Sequence, residues 1–241
     1  MGPLAQTLES LKSYFDAKGA CDIAALAASP EHGRLAATLA DLAQFDPRRM
    51  RIPAQIAFWL NVYNACVLRD VLEFGTDEFF GRERLRIAGH AWSLDDIEHG
   101  LLRGNAPKYM SFSTPMKKTD PRLALAPITF DERSHFALYT ACRSSPPLRV
   151  FHAGQIENQL EEAAREYLRS TVRVKEEGAK LKIPRQFLWY AEDFGGADGV
   201  LEFVVARLDD EAVELIDRRQ GRVKLKYLDY DWTLNRLETQ R

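Results

Sequence analysis

Apolar residues recur every three or four positions along the first 45 residues of the chain, a spacing typical of helices that pack one face on a core. The pattern predicts two amphipathic helices that form a scaffold. Their apolar residues are Leu4, Leu8, Leu11 and Phe15 in the first helix and Leu35, Leu39 and Leu42 in the second. The sequence DPRRMRIP then interrupts the pattern, and Pro53 is placed to open a third helix that stops at Gly75.

The third helix contains AFWLNVYNACVL, residues 57–68, in which apolar side chains surround the helix axis. Such a helix is buried on most sides. Asn61 and Asn64 lie about one turn apart on one edge of it, and a buried carboxamide without partners costs about 1–3 kcal/mol per unsatisfied group. Two interpretations follow: the asparagines bond the backbone of neighbouring loops, or they line a polar pocket together.

The rest of the chain mixes short strands with helices. An alternating pattern around Gly89 predicts a hairpin, and Ser93 with Asp96 forms a capping pair for a helix over residues 94–103. The loop over 105–122 is longer than usual connections, which marks it as functional or mobile. The later predicted elements are a strand in SHFALYTA (134–141), a helix over 155–169, a hairpin within 171–184 that turns at EEGA, a short helix over 187–194, a further helix within 199–216 and a last strand within 223–232.

These elements together predict an α+β fold: a single mixed domain, rich in helices, with a small and mostly antiparallel sheet. The expected organisation is one domain over residues 1–241, with a helical N-terminal scaffold over 1–50 and a core over 51–241. The sequence contains no internal repeat, low-complexity run or linker that would divide it further.

The composition is that of a globular protein, since 46% of the 241 residues are hydrophobic and 28% are charged, with a formal net charge of −2. So balanced a charge gives no long-range field, and we expect neither nucleic acid nor a membrane as a partner. The start lacks the features of a secretory leader, and no apolar run approaches the roughly 20 residues of a membrane span, which favours a cytoplasmic location. Cys21, Cys66 and Cys142 have no metal-ligand spacing and are expected to be reduced thiols.

The helix over 94–103 carries candidate acid–base groups. A helical wheel places Glu98 inside the apolar arc of this helix, where a carboxylate must be paired or protonated. His99 points the other way, beside Asp95 and Arg103 at spacings of four residues. That face is either a solvated cluster or, if the following loop covers it, a second site for a tuned acid or base.

The segment that ends the predicted strand 134–141 carries small polar and nucleophilic groups. His135 opens the strand, and Cys142, Arg143, Ser144 and Ser145 follow it just before two prolines. The end of a strand next to a polar loop often presents binding or reactive groups. A serine beside a histidine would permit nucleophilic catalysis, although no GxSxG elbow is present.

Five segments, in this order, resemble the family called domain of unknown function 547, over roughly three quarters of the chain. They are FWLNVYNA, WSLDDIEHGLLRG, HFALYTACRSSPPLRVF, FLWYAEDFG and DYDWTLN. The resemblance implies no assigned activity. Its signature polar positions fall on Asn61, Asn64, Glu98, His99, Arg103, His135, Ser144, Asp193 and Asp231.

The resemblance also shows where this chain departs from the family. Many bacterial members have a segment similar to NCGAKSCPPL where this chain has YTACRSSPPL, so their two cysteines correspond to Thr140 and Ser145. Plant members resemble SSPAV at this place and are closer to this sequence. Any nucleophile or metal chemistry of the bacterial cysteines is therefore in doubt here, because Cys142 is displaced from both positions.

Two classes of function fit these residues. In the first, the chain is a cofactor-free hydrolase, or an acyl or amide transferase, for a small polar or peptide-like substrate. Ser145 or Cys142 would be the nucleophile, a histidine the base with Glu98, and an asparagine a hydrogen-bond donor to the substrate. The residues expected to bind the substrate are Asn61, Asn64, Arg103, Arg143, Ser144 and Asp193.

In the second class, the same residues form the core of a non-catalytic module that binds a ligand, a protein partner or a second copy of the chain. Reactive groups would converge within hydrogen-bond reach and open to solvent, whereas a structural network would be closed and satisfied. A metal site built from Glu98, His99, His135 and Asp193 is a third and weaker hypothesis, because neither HExxH nor a paired CxxC occurs. We therefore expect no cofactor and no metal.

Overall fold

The N-terminal scaffold folds into three α-helices, one more than its spacing predicts. Their bounds are Pro3–Leu11 (α1), Ile23–Ala27 (α2) and Pro30–Ala40 (α3). α1 ends at Leu11, so Phe15 lies beyond the helix predicted for it and pairs with Cys21 in an isolated bridge. The computed structural model describes residues 2–75, 80–127, 130–175, 179–218 and 223–237.

The predicted third helix forms α4, Ile52–Phe74, with a proline in its first turn and Gly75 at its end with φ 73°. Buried residues run from Ile56 to Val71 on all sides of α4, as the apolar pattern predicts. Neighbouring elements therefore enclose α4, and its polar side chains must find partners inside the protein. In the described ranges, no helix is both long enough and apolar enough to cross a membrane.

Asn61 and Asn64 bind the backbone of two extended segments that pass α4. The Asn61 side chain donates to the Phe151 carbonyl oxygen at 2.8 Å and accepts from the Phe151 N–H at 2.9 Å. Asn64 donates to the Ala137 carbonyl oxygen at 3.1 Å and accepts from the Tyr139 N–H at 2.9 Å. Each carboxamide thus takes the place of a neighbouring strand, because it satisfies both an N–H and a C=O of an unpaired segment.

A hairpin and a π-helix follow α4. β1 (Leu85–Ile87) and β2 (His90–Trp92) pair antiparallel, as predicted. The predicted capping pair also forms, with hydrogen bonds of 3.0 and 3.1 Å between Ser93 and Asp96. The helix itself is a π-helix over Asp96–Leu102, in which the Arg103 N–H donates to the Glu98 carbonyl oxygen five residues back at 2.9 Å. π turns are rare and often occur at functional sites.

The long loop that follows the π-helix is anchored at its base. The Asn105 side chain donates to and accepts from the Met116 backbone at 2.9 and 3.0 Å. The buried Met116 side chain packs on Gly100, where a Cβ would approach its terminal methyl to 2.6 Å. Met110 and Phe112, at 85% and 104% exposure, lie in solvent at the tip of the loop. The loop therefore covers one face of the π-helix.

The predicted strand in SHFALYTA does not form, and that prediction is wrong. A 3₁₀ helix over Glu132–Phe136 occupies its first half, and the Asp131 side chain caps this helix by accepting from the Arg133 N–H. The second half forms no strand and hydrogen-bonds to the Asn64 side chain. The partner of this segment is therefore a side chain.

The C-terminal half adds a helix, a three-stranded sheet and three shorter helices. Their bounds are Ile156–Thr171 (α5), Arg173–Lys175 (β3), Lys180–Ile183 (β4), Gln186–Trp189 (α6), Gly196–Val205 (α7), Asp210–Asp217 (α8) and Lys224–Tyr227 (β5). β3 and β4 form the predicted hairpin, whose turn residues 176–178 lie outside the described residues, and β5 joins β4 in parallel. The helix predicted within 199–216 is divided, because Asp209 caps α8. The α+β fold with mostly antiparallel strands is confirmed.

The buried side chains form two apolar clusters that meet at the middle of the chain. The first cluster joins α1, α3, α4, the hairpin and the π-helix, and the second joins β4, α6, α7 and α8. Phe136 belongs to the second cluster, while its neighbours Ala137 and Leu138 belong to the first. The residues around position 136 therefore lie at the junction of the clusters, where polar groups from both sides can meet.

We predict that Asn61→Ala and Asn64→Ala each lower the free energy of unfolding by about 1–3 kcal/mol, because each leaves backbone groups without partners. Asn64 also donates to the Arg149 carbonyl oxygen at 3.3 Å, two residues before Phe151, so the two losses should couple by about 0.5 kcal/mol or more. Chemical denaturation of both single variants and the double variant measures this. Asn158→Ala on the exposed face of α5 is the control and should change little. Losses as small as that of the control would contradict the assigned hydrogen bonds.

Candidate functional site

Glu98 lies at the junction of the two clusters, where the π-helix places its side chain among aromatic residues. The residue is 7% exposed. The Tyr63 hydroxyl from α4 donates to Oε2 at 3.2 Å, and the Tyr190 hydroxyl, just after α6, donates to Oε1 at 2.6 Å. The prediction that Glu98 is buried is confirmed, and two hydroxyl groups donate hydrogen bonds to its carboxylate.

The surroundings of Glu98 keep its carboxylate ionised and the two phenols neutral. Burial acts to raise the pKa of Glu98, but His99, the hydrogen bond from Tyr190, His135 and Arg103 outweigh it and lower that pKa. Burial and the charge of Glu98 raise the pKa values of Tyr63 and Tyr190 well above the ordinary value. Both hydroxyls therefore serve as donors to a fixed negative charge.

His99 lies on the opposite side of the π-helix and is buried by the loop that follows. Arg103 Nη1 lies 2.8 Å from His99 Nδ1 and donates to the Pro107 carbonyl oxygen at 3.0 Å. A guanidinium only donates, so His99 accepts through Nδ1 and its remaining nitrogen faces Asp95 at 3.8 Å. Burial, with Arg103, lowers the pKa of His99. The solvated-cluster interpretation is therefore replaced by a neutral, covered imidazole.

Arg103 also holds Asp193, which in turn holds His135. Arg103 donates through Nε and Nη2 to the two oxygens of Asp193, at 2.5 and 3.0 Å. His135 Nε2 lies 2.8 Å from Asp193 Oδ2. Burial acts to raise the pKa of Asp193, but the hydrogen bonds from His135 and Arg103 prevail and lower that pKa to about 2. The imidazole of His135 stacks on Tyr190, with ring centroids 4.0 Å apart.

Local backbone geometry places Asp193 at this position. It lies in a 3₁₀ helix over Ala191–Phe194. Gly195 and Gly196 follow with φ of 81° and 82°, a left-handed conformation that suits glycine and turns the chain into α7. A Cβ on Gly199 in α7 would overlap the carbonyl oxygen of Phe194. Glycines therefore allow α7 to pack closely behind the turn that carries Asp193.

A cavity of about 60 Å³ opens beside Glu98 and His135. Its aromatic wall is formed by Tyr63, Phe80, Trp189, Tyr190, Tyr230 and Trp232, and its polar wall by Glu98, His135, Thr140 and Gln186. Trp232 is 52% exposed and stands at the opening. A larger groove of about 610 Å³ runs between α1 and α4, but His152 is the one titratable group on its wall. Of these two, the smaller cavity is the one that brings a carboxylate and a histidine together.

Neither Asn61 nor Asn64 lines the cavity with Glu98. Asn61 borders the groove between α1 and α4, and both carboxamides bind backbone groups. The first interpretation of these asparagines, that they bond neighbouring backbone, describes their geometry. They act on the site indirectly, because Asn64 holds the segment between His135 and Thr140.

Cys142 and Ser145 lie one contact behind the cavity wall. Cys142 is 3% exposed, and its Sγ lies 3.2 Å from Thr140 Oγ1, which also contacts the Tyr230 hydroxyl at 3.0 Å. Ser145 Oγ accepts from the Thr140 N–H at 2.8 Å and donates to the Pro146 carbonyl oxygen at 2.7 Å. Of these three residues, Thr140 lines the cavity, and it is the position that corresponds to a cysteine in the bacterial segments compared above.

Ser144 and Arg143 connect this loop to the C-terminal segment. Ser144 Oγ accepts from the Asp231 N–H at 2.8 Å, and the Arg143 N–H donates to the Thr233 carbonyl oxygen at 2.9 Å. Ala141 adopts φ 58°, a left-handed conformation that is strained for a residue with a Cβ. The pairing brings Tyr230 and Trp232 onto the cavity, whereas the Arg143 side chain is exposed.

Sequence reasoning missed four cavity residues, namely Tyr63, Thr140, Gln186 and Tyr190, as functional candidates. Tyr63 lies between the two asparagines in an apolar run, and Tyr190 lies in FLWYAEDFG. For these two tyrosines, the available signal was an amphipathic residue close to polar ones within a family-like segment; Thr140 and Gln186 gave no comparable signal. No group of three or more His, Cys, Asp and Glu side chains in the described residues is arranged to hold a metal ion.

The sequence of residues 47–168 matches the family described as "Protein of unknown function, DUF547". The match covers about half of the chain, and the chain belongs to this family. Comparison with curated proteins and with solved structures gives no match. Glu98, His99, Arg103 and His135 lie inside the matched range, whereas Asp193 lies outside it.

We predict that Asp193 stabilises the fold at neutral pH and loses this effect in acid. Its pKa is lowered from 3.8 to about 2, so its contribution is complete above about pH 4 and declines as the pH falls toward 2. Unfolding of the wild type and of Asp193→Asn, measured at a series of pH values, should differ most above pH 4 and converge near pH 2. Parallel curves would show that the carboxylate is not held by its partners.

Two substitutions at Glu98 should separate charge from hydrogen bonding. Glu98→Gln retains an acceptor for the tyrosines and should cost less than about 1 kcal/mol of stability, whereas Glu98→Leu strands both hydroxyls and should cost about 1–3 kcal/mol. Denaturant unfolding measures both values. Equal and negligible effects of the two changes would contradict a buried carboxylate held by Tyr63 and Tyr190.

Proposed function

We propose that the chain is a hydrolase, or an acyl or amide transferase, that acts on a small polar or peptide-like substrate without a cofactor. The observation that carries this proposal is the line Arg103–Asp193–His135, which ends on the wall of a cavity that also contains Glu98. A histidine oriented by a buried carboxylate is the usual arrangement of a general base.

The proton chemistry assigns the base to one atom of His135. Asp193 is ionised at neutral pH and can only accept, so His135 Nε2 carries the hydrogen of their bond. In the neutral imidazole the lone pair is then on Nδ1, which is free to accept a proton. Arg103 balances the charge of Asp193 and fixes its orientation through two hydrogen bonds.

In the proposed reaction, Nδ1 of His135 removes a proton from a water or an acceptor hydroxyl as its oxygen attacks the substrate carbonyl carbon. The imidazolium then returns this proton to the leaving nitrogen or oxygen as the bond to that atom breaks. The negative charge of Asp193 stabilises the imidazolium between the two steps. Every proton taken is thus returned, and no oxidant or reductant is needed.

Water is the attacking group that best fits these contacts. Ser145 and Cys142 remain the predicted nucleophiles, but each lies one contact behind the wall, and the Ser145 hydroxyl already donates to a carbonyl. Thr140 reaches the wall, yet its hydroxyl contacts Cys142 and Tyr230 instead of a base. A water between His135 and the substrate needs no rearrangement of these bonds.

A binding module is the second candidate, and the aromatic opening of the cavity favours it. Tyr230 and Trp232 have ring centroids 4.5 Å apart, and Trp189 stacks on Trp232 at 5.9 Å. Trp232 is exposed, and exposed aromatic side chains often bind a ligand or a partner. We also propose a cytosolic location, which the three unpaired, buried cysteines support.

The test is a panel of small esters, thioesters and peptide anilides with the wild type, His135→Gln and His152→Gln. His135→Gln should lower turnover by about 10²–10⁴-fold in protein that is still folded, as circular dichroism checks, because the general base is lost. His152→Gln is the matched control, since His152 lines the distant groove. A panel that gives no turnover, or equal turnover in His135→Gln, would overturn the enzymatic proposal and favour the binding module.

A further inference from the structure

The cavity contains a buried hydrogen-bond acceptor that nothing satisfies. Gln186 is 4% exposed and lines the cavity. Its Nε2 donates to the Tyr167 hydroxyl at 2.9 Å, while its Oε1 has no hydrogen-bond partner in the described residues. A buried carbonyl without a donor is costly, so this oxygen calls for an N–H or O–H group inside the cavity.

The same cavity contains a buried negative charge without a contacting cation. Within the described residues, Glu98 forms no ion pair within 4.0 Å, and its hydrogen bonds come from the two tyrosine hydroxyls. Arg103 does not contact Glu98 as a counter-charge, because two of its nitrogens bind Asp193. A carboxylate holds four lone-pair positions, so Glu98 can accept further hydrogen bonds from a group in the cavity.

The aromatic wall completes an environment that suits a cation. Aromatic faces attract ammonium and guanidinium groups, and this attraction increases when the site is shielded from water. Trp189, Tyr230 and Trp232 contact one another at the opening, with Trp189 stacked on Trp232, while Tyr63 and Tyr190 flank Glu98. A rim of aromatic rings around one carboxylate and one free carbonyl favours a ligand that is positively charged and rich in donors.

The positive groups near the cavity do not oppose this environment. The charge of Arg103 is balanced by Asp193, and His99 accepts through Nδ1 as a neutral imidazole does. Among the described residues, Glu98 is therefore the carboxylate on the cavity wall, and no cation of the protein contacts it.

We propose that the cavity recognises a primary ammonium group at the end of a short alkyl chain, and so that the substrate is an amine or an amine-bearing amide or ester. The substrate class rests on the proposed function, because it assumes that His135 acts on the bound molecule; the binding of the ammonium group does not. A volume of about 60 Å³ accommodates about four water-sized groups, which fits a head group with a few methylenes.

The experiment measures binding without turnover, by calorimetry and by the indole N–H signals of the tryptophans. The probes are propylammonium, the neutral propanol and the anionic propionate, which share a shape and differ in charge. Propylammonium should bind saturably and perturb the indoles of Trp189 and Trp232, with affinity about tenfold or more above that of propanol. Propionate should not bind.

Three substitutions locate the binding. Glu98→Gln should weaken propylammonium binding about tenfold or more, and Trp232→Leu at the exposed opening should weaken it several-fold, with little effect on folding. Gln186→Met, which removes the free carbonyl, should also weaken it. Glu166→Gln is the matched control, because this glutamate is exposed and remote from the cavity wall, and it should leave binding unchanged.

The outcomes separate this inference from the proposed function. Equal binding of propanol and propylammonium, preference for propionate, or absence of saturable binding would overturn the ammonium site, whatever the turnover panel shows. Binding that depends on Glu98 but persists in His135→Gln supports the site independently of catalysis. If such binding occurs while the panel shows no His135-dependent turnover, the ammonium site stands and the enzymatic proposal fails.

Discussion

The fold of the site depends on hydrogen bonds from Asn64 to a segment of chain that has no strand beside it. Extended backbone inside a protein exposes N–H and C=O groups that must be satisfied. Asn64 meets this demand at Ala137 and Tyr139, and Asn61 does the same at Phe151. The first segment lies directly between His135 and Thr140. Its hydrogen bonds to Asn64 on α4 therefore fix the distance between two walls of the cavity.

The two carboxylates near the cavity, Asp193 and Glu98, have different partners. Asp193 is bound on both oxygens by Arg103 and contacts His135, so its charge orients the His135 imidazole. Glu98 is bound by neutral hydroxyls, so its charge remains available to a ligand. Both carboxylates are ionised, yet one faces cations of the protein and the other faces the cavity. Different environments thus give similar groups different roles.

Much of the helical framework could be predicted from the sequence, because it depends on local spacing. The limits of α4, the capping pair Ser93–Asp96, the burial of Glu98 and the place of His99 beside Arg103 all follow from residues within a few positions of each other. The single-domain organisation stays a prediction. The π-helix was not predicted, because a change from four-residue to five-residue hydrogen bonds does not alter the pattern of apolar positions in the sequence.

The parts that sequence reasoning missed involve contacts between distant positions. Tyr190 and Glu98 are 92 positions apart, and Asn64 and Tyr139 are 75 apart. An extended segment looks the same in sequence whether a strand or an asparagine binds it, which is why SHFALYTA was predicted as a strand. Gln186 is a polar residue in an apolar motif, and its free carbonyl becomes visible only when its neighbours are placed.

The cavity is built from two parts of the chain. The matched range contributes Glu98 and His135, while the aromatic opening, the Gln186 carbonyl and the partner of His135 come from residues 186–232. Neither part forms the cavity alone. Truncation after the matched range would leave Glu98 without Tyr190 and His135 without Asp193.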